Sequence, residues 1–112
     1  MSDWNKVNPF STEVADGNSG SAFTVAWPTG SKHTLTLTAN ATLTFTAPVG
    51  GCNLLLRLVQ DATGTRTVTW PATVKWAGAA APTLSTAANA VDIIAFYWNG
   101  TNYYGVASLN FA

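Results

Sequence analysis

Between residues 34 and 46 every second residue is threonine, with the single exception of Asn40. The positions between them hold Leu35, Leu37, Ala39, Ala41, Leu43 and Phe45. A period of two is the signature of a strand, in which successive side chains point to opposite faces. A helix would spread the same threonines around its whole circumference. Threonine is also β-branched and fits a pleated, half-buried surface. The chain therefore has to build sheets, with Leu and Phe inward and Thr outward.

The same alternation recurs along the chain. Phe23, Val25 and Trp27 alternate with Thr24 and Ala26, and Val68 and Trp70 with Thr67 and Thr69. Val74 and Trp76 resume after Pro71. Turn chemistry falls at Pro28-Thr29-Gly30, Pro48-Val49-Gly50-Gly51 and Asp61-Ala62-Thr63-Gly64. Asn99-Gly100 is a strong hairpin signal between the run Val91–Trp98 and a returning strand from Tyr103 to Leu109. Residues 77–90 carry no stripe of apolar residues at helical spacing and read as a long loop. About eight strands at such spacing predict an all-β fold, an antiparallel, jelly-roll-like β-sandwich. It would occupy residues 21–112, behind a short extended N-terminal arm, residues 1–20. The run Cys52–Val59 is apolar on both faces, which predicts a central strand covered on both sides. Arg57 within it requires a carboxylate or carbonyl partner.

Charge narrows the function. Five Lys and Arg balance five Asp and Glu, and charged residues make up only 9% of the 112 residues. Five scattered cations cannot build a nucleic-acid surface, so no nucleic acid is expected as a partner. No run of 18 apolar residues exists to insert in a membrane as a helix. One cysteine excludes an intrachain disulfide. Charge depletion and 17 threonines suit a chain that buries part of its surface against copies of itself, so an oligomer is expected.

Catalytic groups are sparse. His33 is the sole histidine, and the acids are Asp3, Glu13, Asp16, Asp61 and Asp92. A general base needs a nucleophile and an orienting acid beside it. Asp61 belongs to a turn and Asp92 opens a strand, so neither is expected to serve as a glycosidase carboxylate. One His and one distant Cys lack zinc spacing. No catalytic residue, no metal site, no cofactor and no enzymatic activity are expected.

The aromatic residues leave two readings open. Trp70, Trp76 and Tyr97 fill the core while Trp98 and Tyr104 line a contact between subunits. Alternatively, Trp98, Asn99, Thr101, Asn102 and Tyr104 form a surface-recognition patch of the kind that stacks on sugar rings. In the arm, Trp4, Val7 and Phe10 recur at intervals of three and are the candidate contact with a neighbouring subunit or a larger assembly.

The run Leu35-Thr36-Leu37-Thr38-Ala39-Asn40-Ala41-Thr42-Leu43-Thr44-Phe45 resembles a β module of bacteriophage tail fibres. The likeness continues through Leu58–Gly64, Arg66–Pro71, Val74–Gly78, Ala81–Leu84 and Tyr97–Tyr104. The resemblance implies a β-sandwich of a virion structural protein, often trimeric, without known catalytic residues. Such modules occur in tail fibres and as small free-standing virion proteins. With only residues 1–20 ahead of the module, the first expectation is a trimeric capsid decoration or cement protein bound to the major capsid protein. The alternative is a receptor-binding tip or other tail-fibre component that contacts the host surface, including its glycans. Both place the chain in the virion.

Overall fold

A computed structural model describes residues 12–111. Nine strands are present among them: β1 (Val14–Asn18), β2 (Ala22–Ala26), β3 (Lys32–Leu37), β4 (Ala41–Thr46), β5 (Cys52–Gln60), β6 (Val68–Thr69), β7 (Val74–Trp76), β8 (Val91–Trp98) and β9 (Tyr103–Phe111). One sheet has six strands in the order β1-β3-β5-β8-β9-β7, and the other has three in the order β2-β4-β6. The protein is all-β, as the alternation predicts. Trp4, Val7 and Phe10 lie outside the described residues, whereas Val14 already belongs to a sheet. The sheet thus begins inside the segment expected to be the arm.

The expected antiparallel arrangement is corrected. β1 pairs with β3, and β3 with β5, in parallel. β2 with β4, β4 with β6, and β7 with β9 are parallel too. Only β5–β8 and β8–β9 are antiparallel. The chain alternates between sheets: β1, β3 and β5 enter the larger one, and β2, β4 and β6 the smaller. Each turn therefore sends the chain across the core rather than back along its neighbour. The strand in the opposite sheet serves as the crossover that parallel pairing demands. Residues 14–69 thus form a short coil in which each circuit stacks on the previous one.

Stacking explains the threonines. Thr24 and Thr44 lie opposite one another on β2 and β4, and their hydroxyls are 2.6 Å apart. Thr42 pairs with Thr69 on the next strand. Inward, Val25, Leu35, Leu37, Leu43, Leu54, Leu56, Leu58 and Ile94 are buried in one cluster shared by both sheets. Phe96 binds the two halves together. Its ring meets Phe45 at 5.4 Å, Trp27 at 6.1 Å, Trp70 and Tyr103 at 6.0 Å, and Trp76 at 5.9 Å. Most are edge-to-face contacts, the geometry preferred by aromatic quadrupoles.

Two glycines are required by packing. Gly64 has φ +73°, and a Cβ there would lie 2.5 Å from the Thr86 carbonyl oxygen. A Cβ at Gly105 would lie 2.7 Å from the Trp76 ring. The long loop is held by polar groups. Gln60 is buried; its amide donates to the Arg66 and Ser85 carbonyls, both at 2.9 Å, and its oxygen accepts from Arg66 N–H at 3.0 Å. Both partners of its side chain, Arg66 and Ser85, lie in loops, so one side chain fixes two of them.

Candidate recognition surface

The acids expected to be structural are engaged in the backbone. Asp61 Oδ1 accepts from the N–H groups of Thr63 and Gly64, closing the turn. The Arg66 guanidinium beside it, with these N–H groups, holds its carboxyl below the usual value. Asp92 is buried and gathers three donors: Ser85 N–H at 2.8 Å, Ser85 hydroxyl at 2.7 Å and Asn110 N–H at 2.8 Å. His33 is also buried, with Nδ1 2.7 Å from Asp16 Oδ2 and Nε2 2.9 Å from the Gly30 carbonyl. Both ring nitrogens face protein oxygens, which ties β1 and the Trp27–Thr29 turn to β3. Burial pushes the Cys52 thiol above its ordinary value, away from the thiolate that would react. Among the described residues no three His, Cys, Asp or Glu side chains come together.

The outer face of the six-stranded sheet offers different chemistry. Arg57 has its carboxylate partner: Nε and Nη2 donate to the two Glu13 oxygens at 3.0 and 2.9 Å. That pair draws the Glu13 carboxyl below its usual value. Beyond it the face is apolar and open. Leu55, Ala95 and Val106 are aligned across β5, β8 and β9, with Leu55 and Val106 exposed. The expectation that β5 is covered on both sides is therefore corrected: β5 is central, but its outer face is uncovered among the described residues.

Next to this row, register places Asn53, Tyr97, Tyr104 and Lys75 side by side across β5, β8, β9 and β7. Tyr97 is 52% exposed and Tyr104 47%. The β8–β9 turn closes the end of the row. There the Asn99 carbonyl oxygen of the side chain accepts from the N–H groups of Thr101 and Asn102 at 2.9 and 2.8 Å. The Asn99 amide nitrogen lies 3.4 Å from the Tyr104 hydroxyl. Asn99, Thr101, Asn102 and Tyr104 of the expected patch are thus brought together.

Trp98 is not. It faces inward, 8% exposed, stacked on Tyr103 with centroids 4.3 Å apart. The expected core residue Tyr97 takes its place outside. The alternation along β8 is as read, but its phase places Asp92, Ile94, Phe96 and Trp98 within. Trp70 and Trp76 pack against the core, 5.1 Å apart, as expected. Sequence reasoning missed Asn53 and Lys75, which come from separate strands. Asn53 shares its outward phase with Leu55 and Val59, and Lys75 falls between the inward Val74 and Trp76.

The module thus has two sheets, threonines on its outer face and an aromatic row at its hairpin end. A family profile described as "Putative phage tail fibre C-terminal domain" matches residues 23–103. The chain belongs to that family, and the resemblance carried by its Thr-Leu run is confirmed. The matched segment runs from β2 to the first residue of β9, so it includes Tyr97 and stops just before Tyr104. Comparisons with curated proteins and with solved structures found no match. Family membership makes the chain a structural module of a phage virion.

Proposed function

We propose that the chain is a tail-fibre module that contacts the host surface through the hairpin end of its six-stranded sheet. The observation that carries this reading is the row Asn53, Tyr97, Tyr104 and Lys75, with both tyrosines about half exposed. Two adjacent phenol rings give flat apolar area with a polar tip. Asn53, Asn99 and Asn102 supply amide donors and acceptors around them. Flat apolar area with an amide rim suits a sugar ring, which has an apolar face and a hydroxyl edge. A host-surface glycan is accordingly the proposed ligand. The family supports a tail position over capsid decoration, and the arm residues invoked for a capsid strap lie outside the described residues. The proposed role is recognition without chemistry.

Phage carrying Tyr97→Ala with Tyr104→Ala should adsorb to host cells at least tenfold more slowly, while the isolated module keeps its melting temperature. Unchanged adsorption would overturn the proposal. Immunogold labelling of virions locates the chain independently: label at the tail end supports the reading, and label spread over the head would restore capsid decoration.

A further inference from the structure

Most charges of this molecule are matched by its own groups. Among the described residues, Arg57 is paired with Glu13 and Arg66 with Asp61, and Asp16 is held by His33. Buried Asp92 takes its donors from Ser85 and Asn110. Lys75 pairs with none of these acids. It is exposed at the end of the tyrosine row, directly beside Tyr104. Strand geometry explains why. β7 and β5 are three strand spacings apart, about 14 Å. Glu13 ends on Arg57, which lies about 13 Å farther along β5 than Asn53. Asp92 lies two strands away and about 17 Å along β8 from Tyr97. Asp61 follows the far end of β5, and Asp16 belongs to β1 beyond it. With a Debye length of about 8 Å, all four carboxylates are screened from Lys75.

The backbone under Lys75 is fixed. Val74 is buried, and Trp76 packs against Trp70 and Phe96. Trp76 also closes over Gly105, where a Cβ would lie 2.7 Å from its ring, so β7 sits flush on β9. An open hollow of about 440 Å³ lies there, walled by Lys75, Ala77, Tyr104 and Val106. A second, of about 300 Å³, lies on the other side of Tyr104, walled by Asn53, Leu55 and Tyr97. One hollow therefore carries an amide and the other an ammonium.

We infer that the hollow beside Lys75 receives the anionic group of an acidic saccharide. The inference rests on the tyrosine row being a glycan surface and specifies what that glycan carries. An ammonium has three donors and no acceptor. A neutral sugar offers it only hydroxyls, whereas a carboxylate or phosphate takes it in charge-assisted hydrogen bonds, roughly twice as strong. With every acid of the described residues screened, no carboxylate of the chain repels the anion. Tyr104 then stands between two successive sugars, an uncharged one towards Asn53 and an acidic one towards Lys75.

The probe is surface polysaccharide extracted from host cells, bound to the immobilised full chain. One portion is carboxyl-reduced and another dephosphorylated, which separates a sugar carboxylate from a phosphate as the source of the charge. Lys75→Gln should weaken binding of the native polysaccharide about fivefold or more with the melting temperature unchanged, and Lys75→Arg should restore it. One of the two treatments should weaken binding to the parent protein by the same factor and weaken Lys75→Gln no further. If Tyr97→Ala with Tyr104→Ala loses binding while Lys75→Gln and both treatments leave it unchanged, glycan recognition stands and the acidic saccharide is overturned. If the tyrosine variant binds as the parent does, the glycan surface itself is refuted and this inference falls with it.

Discussion

The coil of residues 14–69 and the sheet end built by β7, β8 and β9 are made to different rules. In the coil, outward positions of the smaller sheet are mostly threonines, some of which face one another across strands, as Thr24 faces Thr44. Its charges are paired, Arg57 with Glu13 and Arg66 with Asp61. At the sheet end, outward positions hold Tyr97, Tyr104 and Val106, and the only charged side chains from residue 75 onward are Lys75 and Asp92. The coil spends the outer face of its smaller sheet on its own ladders, and its strand β5 continues the open face of the sheet end. The sheet end leaves apolar surface open, and open apolar surface is what binding requires. Parallel strands that are apolar on both faces are ordinarily covered on both, which makes the bare face over β5 the more telling.

The largest effect should come from breaking the joint between the regions. Phe96→Ala removes a buried ring that touches aromatic partners in both, at a cost of about 3–5 kcal/mol. Chemical denaturation should show coil and sheet end unfolding together in the parent protein and separating in the variant. A single unchanged transition would show that Phe96 does not couple them.

A smaller effect, confined to the coil, is expected of His33→Ala. It deletes the link to Asp16 and the Gly30 carbonyl, costing about 2–3 kcal/mol through the groups left unpaired. Hydrogen exchange should quicken in β1 and β3 while β8 and β9 hold their protection. Uniform quickening would show that the cost falls on global unfolding and not on a local opening of the coil.

The smallest effect is pH-dependent. Glu13 is held below the ordinary carboxylate value by its hydrogen bonds to Arg57. Its contribution is therefore present above the unfolded-state value, near pH 4, and is lost as pH falls through the lower folded value. Both side chains are more than a third exposed, so the pair contributes less than about 1 kcal/mol. Glu13→Gln should lower the melting temperature slightly at pH 7 and by less at pH 3. An equal difference at both would assign the effect to packing.

What was legible in the sequence was what depends on neighbouring residues. The Thr34–Thr46 alternation showed strands, and Asp61 and Asn99 marked turns that both close with their own side chains. Arg57 announced a need for a partner, but not that Glu13, 44 residues away, would meet it. The parallel coil was hidden because a turn such as Pro48–Gly51 looks alike whether the next strand returns beside its neighbour or crosses to the other sheet. β1 was hidden because Asp16, Gly17 and Asn18 lack apolar alternation; pairing with β3 decides their conformation. For the candidate site, Asn99, Thr101, Asn102 and Tyr104 were readable from the hairpin signal. The exchange of Tyr97 and Trp98 was not, since aromatic residues on both faces of β8 carry no phase.

The coil also has a unit of growth. Ala22 meets Thr42 and Phe23 meets Leu43, so one circuit of the chain advances the smaller sheet by a single strand without changing register. Lineages could lengthen or shorten such a body by whole circuits, as masons add courses to a wall. The threonine faces would stay in line, and the hairpin end would be carried outward unaltered. The length of the coil and the exposed tyrosine row would then vary on separate parts of one small chain.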